Sequence, residues 1–128
     1  MIAFIFQEQT VEFVTLADYE KSIFWRFTRA RYRASDLPQE CTICGDGRFQ
    51  LHHLHYRNIG DEDLADLMPL CGDHHYEVEK HIRASRPDLD REAATFDYLE
   101  RVAGRAEGER IRNPRRLDPL SSLGVLRT

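Results

Sequence analysis

A chain of 128 residues is long enough for one domain with a modest core and too short for two. Its three cysteines cannot close a disulfide framework, and no segment approaches the length of a membrane span, which excludes small disulfide scaffolds and helical membrane proteins. The net charge of −4 argues against a uniformly basic nucleic-acid binder, so any contact with phosphate must come from local basic stripes.

Met1–Phe6 is apolar but short, lacks a basic leader and runs into Gln7, Glu8 and Gln9. It reads as a strand rather than a signal peptide, and the protein is expected in the cytoplasm. Ala3–Leu16 alternates loosely through Phe4, Phe6, Val11 and Phe13, which predicts one or two short strands. Asp18 is the expected N-cap of a helix from Tyr19 to about Arg33, with Tyr19, Ile23, Phe27 and Ala30 on one face. Lys21, Arg26, Arg29, Arg31 and Arg33 sit largely off that face with no acid among them. Screening confines each field to roughly 8–10 Å, so such a stripe can hold phosphate on an acidic chain; a solvated helix face explains it equally well.

Ala34–Gln39 is a predicted loop delivering Cys41 and Cys44, with Gly45 and Gly47 making a knuckle turn. Arg48–Tyr56 is a candidate strand carrying His52 and His53. A polar loop, Arg57–Asp63, follows, and Leu67–Leu70 is a second short strand. Gly72–Arg83 has helical character. Pro87 and Asp88 open a further helix, Leu89 to Ala103, in which Phe96, Leu99 and Val102 fall at helical spacing, and Gly104 is its expected stop. We therefore expect one domain over 1–104, with a leading helix at about 19–33, a core at about 41–83 and a trailing helix at about 88–103. A basic tail would occupy 105–128.

Cys41-x-x-Cys44 and Cys71-x-x-His74 supply four ligands as two paired knuckles. Two such turns close a tetrahedron around Zn²⁺ with no open position, which is the arrangement of a structural site. A redox pair of Cys41 and Cys44 is the competing explanation, and the second knuckle argues against it. Neighbouring residues on a regular strand point to opposite faces, so one of His52 and His53 can bind a metal while the other faces a substrate. His75 would begin a helix, and Glu79, at i+4, lies on its face and could ligate the same ion. His55 and His81 read as surface histidines; Tyr56 and Trp25 read as core aromatics.

Leu51-His52-His53-Leu54-His55-Tyr56, then Gly60-x-Glu62, then the run Asp66–His75 resembles an HNH endonuclease of the ββα-metal (His-Me finger) type, in the subgroup with two zinc knuckles bracketing the motif. Ser22-x-x-Trp25-Arg26 resembles the helix that often leads into the first knuckle, so the resemblance covers roughly residues 19–82. It implies an α+β fold with structural zinc and flanking helices. It also implies that His52 and His75 hold a catalytic metal and that His53 is the general base activating water. Imidazole can accept a proton near neutral pH, and the bound metal would stabilise charge on the scissile phosphate. Imidazole ligands admit Zn²⁺, Ni²⁺ or Mn²⁺, while Mg²⁺ prefers oxygen, so the ion is open. Asp66 stands where the family has asparagine. It can accept an orienting hydrogen bond or ligate the metal, but cannot donate as an amide does.

The expected function is metal-dependent hydrolysis of DNA phosphodiesters, with double-stranded DNA as partner and Arg26, Arg29, Arg33 and Arg57 as candidate phosphate contacts. Such a unit reads few bases, so sequence preference would come from the basic stripes, the tail or a partner protein. The alternative is a non-catalytic zinc-binding module that holds nucleic acid or protein on the same fold.

Overall fold

The computed structural model describes residues 2–112, with side chains as far as 105. Among them the architecture is α+β: two two-stranded sheets and four helices. The expected basic tail lies outside the described residues from 113 onward. The chain forms two compact units, one from Met1–Leu37 with His55–Leu67, the other from Pro38–Leu54 with Met68 onward. No helix among the described residues is long and apolar enough to cross a membrane.

In the first unit, β1 (Ile2–Phe6) runs antiparallel to β2 (Gln9–Phe13), with Ile2 opposite Phe13 and Phe6 opposite Gln9. Gln7 and Glu8 form the turn with φ of 50° and 67°. The tight hairpin demands that left-handed backbone, although glycine or asparagine usually supplies it. Phe4 and Phe13 pack edge-to-face on Tyr19 at 5.8 and 5.7 Å, and Phe4 meets Phe24 at 5.2 Å.

The single helix expected over 19–33 is two. α1 (Leu16–Glu20) starts at a capping box in which Thr15 is the N-cap and Asp18 the third helical residue, so Asp18 closes the box instead of opening the helix. Ser22 then caps α2 (Ile23–Arg33). This break resets the helical phase. α2 buries Trp25, Thr28 and Tyr32, while Ile23 and Phe27 of the expected face stand 55% and 62% exposed. The loop after residue 55 carries a buried Glu62 and a single 3-10 turn, Leu64–Asp66, capped by Asp63. Tyr56, expected in the core, is exposed, because the strand before it has already ended.

In the second unit, β3 (Gln50–His53) pairs with β4 (Leu67–Leu70), and the chain continues into α3 (Gly72–Ser85). β4 is buried at every position, which is why it reads as an unbroken apolar run. Val78 and Ile82 of α3 and Ala94 and Leu99 of α4 (Arg91–Arg112) share a core with Ile43, Leu54, Met68, Leu70 and the two cysteines Cys41 and Cys71. Asp90, rather than Pro87 or Asp88, starts α4 by accepting from the Ala93 N–H at 2.8 Å. The helix also runs through Gly104. One interior glycine costs only about 1 kcal/mol relative to alanine, and the helix formers Arg105, Ala106 and Glu107 follow it.

Candidate functional site

The Cys41–Cys44 knuckle is a tight turn in which the Gly45 N–H donates to the Cys41 carbonyl at 2.9 Å and the Cys41 N–H to the Asp46 carbonyl at 2.8 Å. Gly45 takes φ of 79°, a conformation glycine adopts freely. The Thr42 N–H and hydroxyl both donate to the Pro69 carbonyl, at 2.8 and 3.0 Å, and tie the knuckle to β4. Cys71 is the N-cap of α3, and its sulfur accepts from the His74 N–H at 3.5 Å. The second pair of ligands therefore comes from a helix start.

The four ligand atoms lie within 4.8 Å of one another and could hold a metal ion. Cys44 Sγ is 3.8 Å from Cys71 Sγ, and His74 Nδ1 is 3.6 Å from Cys41 Sγ and 3.2 Å from Cys71 Sγ. A tetrahedron with bonds of about 2.3 Å has edges of about 3.8 Å, so the spacing fits zinc. Partial desolvation, then the Cys41 and Cys71 sulfurs, push the Cys44 thiol up to about 12 against the Asp46 N–H. A bound cation would reverse that balance.

A second group forms where β3 meets α3. His52, His75 and Glu79 bring their ligand atoms within 4.8 Å of one another. His52 Nδ1 is 3.3 Å and His75 Nε2 3.7 Å from Glu79 Oε1, and the two rings meet edge-on with centroids 5.3 Å apart. Burial pushes the fully enclosed His52 down to about 4, with Arg91 adding and Glu79 opposing, so the ring is neutral at pH 7. Burial works to raise the Glu79 carboxyl. Contacts with His52, His75 and Arg91, together with the Arg91 charge, outweigh it and hold the group below the usual carboxylate range.

His53 is also enclosed, at 3% exposure, and its carbonyl accepts from Arg91 Nε at 2.7 Å. Asp66 belongs to the first unit, where its carboxylate pairs with His55 Nε2 at 3.0 Å. His55 is therefore no solvated surface residue. His81 is not one either, since its Nε2 meets Asp97 at 2.7 Å and joins α3 to α4. Arg26, Arg29, Arg33 and Arg57 are exposed, the first three at helical spacing on α2.

Sequence reasoning missed Arg91, Thr95 and Gln50. Arg91 donates to both Glu79 oxygens, 3.1 Å from Nη1 to Oε2, and its Nη2 lies 3.2 Å from His52 Nδ1. The Thr95 hydroxyl is 3.0 Å from His52 Nε2, and Gln50 Oε1 is 2.6 Å from His75 Nδ1. No spacing rule ties these residues to the motif. Arg91 and Thr95 meet it only once α4 packs on α3, and Gln50 only once β3 lies beside α3. Comparison of the chain with family models, with curated proteins and with solved structures returns no match.

Proposed function

We propose that the chain is a metal-dependent endonuclease of the HNH type, hydrolysing phosphodiester bonds in double-stranded DNA. Zinc occupies the Cys41, Cys44, Cys71 and His74 cluster in this reading, and a second divalent ion sits on His52, His75 and Glu79. The observation that carries the proposal is the convergence of those three side chains on the strand–strand–helix order of β3, β4 and α3, with His53 next in the chain. Two imidazoles and a carboxylate suit Zn²⁺, Ni²⁺ or Mn²⁺ better than Mg²⁺. Three thiols kept as metal ligands suit a reducing compartment such as the cytoplasm.

When bound, the second ion would act as a Lewis acid toward the scissile phosphate and the leaving oxygen. The protein's own part is positional. His53 accepts the proton of the attacking water, and Arg91 pins the His53 carbonyl, which fixes the end of the strand that presents the base. Glu79 remains ionised and offers its oxygens between the two histidines. The pair of Asp66 with His55 supports an ordering role in the loop after the base. Arg26, Arg29, Arg33 and Arg57 are the proposed phosphate contacts.

A non-catalytic binding module is the second reading, favoured by the Arg91 guanidinium resting on His52 and Glu79. A plasmid-nicking assay separates the two, run with Mg²⁺, Mn²⁺, Ni²⁺ or Zn²⁺ on the wild type and on His53→Ala. The nuclease reading expects cleavage with at least one ion and a loss of at least about 100-fold in the variant. Cleavage unchanged by the substitution would remove His53 as the base. Failure of every ion would leave the binding module.

A further inference from the structure

We propose that Thr95, on α4 and outside the strand–strand–helix core, is a positioning residue. It fixes His52 as the Nε2–H tautomer, so that the lone pair on Nδ1 faces Glu79 and His75. The inference rests on the metal-site reading above and names what makes that site competent.

A count of protons fixes the tautomer. His52 and Thr95 are both fully buried, so water does not satisfy either ring nitrogen or the hydroxyl. The Thr95 hydroxyl has one proton and donates it to the Arg91 carbonyl one turn earlier, at 2.9 Å. Toward His52 Nε2, at 3.0 Å, it can then only accept, which places the ring proton on Nε2. The other side of the ring gives the same answer independently. Nδ1 lies 3.2 Å from Arg91 Nη2, and a guanidinium has donors only. A proton on Nδ1 would oppose another N–H. Glu79, 3.3 Å from Nδ1, does not need that proton, because Arg91 already donates to both of its oxygens.

His75 repeats the pattern with its nitrogens exchanged. Its Nδ1 donates to Gln50 Oε1 at 2.6 Å, which leaves the Nε2 lone pair 3.7 Å from Glu79 Oε1. Two residues from outside the motif thus turn two histidines so that both lone pairs point where Glu79 points. Outer hydrogen bonds of this kind orient ligating histidines and raise their basicity. Thr95 is the stiffer of the two supports, since it is buried on a helix while Gln50 is exposed at the start of β3.

The test uses the full chain with zinc in the cysteine cluster, and Ni²⁺ as the probe of the second site. Calorimetric titration compares the wild type with Thr95→Val, which keeps the side-chain shape and removes the hydroxyl, and with Thr95→Ser, which restores it. Nitrogen-15 NMR of the His52 ring before Ni²⁺ is added reads the tautomer directly. Thr95→Val should keep its zinc and its circular dichroism, weaken Ni²⁺ binding by roughly 10–100-fold and shift the Nε2–H signal, because that proton loses its acceptor. Thr95→Ser should recover most of the affinity and the Nε2–H signal. Equal Ni²⁺ affinity in the wild type and Thr95→Val would overturn the proposal. So would a wild-type ring protonated at Nδ1, a reading that needs no variant to fold. If the wild type takes up no Ni²⁺ while its ring is Nε2–H, the metal-site reading fails and the tautomer assignment stands.

Discussion

The Tyr19 hydroxyl donates to the Glu62 carboxylate, 2.7 and 2.9 Å from its two oxygens, and accepts from the Gly60 N–H at 3.2 Å. Burial, then the bonds to Glu62, push the phenol well above its ordinary range, so it stays a donor at any working pH. Glu62 is itself buried, and a carboxylate taken from water needs such donors. Tyr19→Phe keeps the ring packing against Phe4 and Phe13 and removes only the hydroxyl. It should lower unfolding stability by about 1–3 kcal/mol in a urea titration, and a change near zero would show that the pair contributes nothing. At this scale the sequence was most legible where chemistry constrains spacing. Cys41, Cys44, Cys71 and His74 meet because two knuckles leave few other arrangements, and His75 with Glu79 because a helix puts i and i+4 on one face. Arg91 and Thr95 left no such mark. Their roles arise from the packing of α4 on α3, and an arginine or threonine on a helix has many other uses.

Element boundaries followed local capping chemistry more closely than hydrophobic periodicity. The break between α1 and α2 was written in Thr15, Asp18 and Ser22, but the apolar residues Tyr19, Ile23 and Phe27 suggested one continuous face across it. β4 and α3 were readable because an apolar run ends at a cysteine that both caps the helix and offers a ligand. The loop Arg57–Asp63 is polar in sequence, yet it is built against the hairpin. Gly60 has φ of 90°, and a Cβ added there would fall on the Phe4 ring. Gly60→Ala therefore meets two penalties, a left-handed backbone and a clash with an aromatic ring that is itself packed on Tyr19 and Phe24. The expected loss is at least about 2 kcal/mol in denaturant unfolding, with the ring of Phe4 shifted in aromatic NMR signals. An alanine variant as stable as wild type would mean that the loop is not held against the hairpin.

For the molecule as a whole, the two ligand groups should differ in what their loss does. Cys41 and Cys71 are members of the hydrophobic core, packed with Ile43, Leu70, Val78 and Leu99, so an ion at their cluster would stabilise the packed unit itself. The second group hangs on that frame. His52 comes from β3, His75 and Glu79 from α3, and the helix they share begins at Cys71. Dependence should therefore run one way. If zinc and a second ion are bound as proposed, Cys44→Ser, or removal of zinc with a strong chelator, should abolish most of the helical circular dichroism and, with it, affinity for the second ion. On the nuclease reading, His53→Ala should leave both zinc content and circular dichroism near wild type, because the proposed base is not among the four residues of the cysteine cluster. The contrast is more informative than either variant alone. A loss confined to Cys44→Ser separates a frame from a working site, whereas two equally unfolded variants would show one cooperative cluster in which no histidine is spared for catalysis. On the two-metal reading proposed above, the same logic sets the order of any refolding experiment: zinc would return to the cysteine cluster first, and the second ion would bind only to the frame it restores.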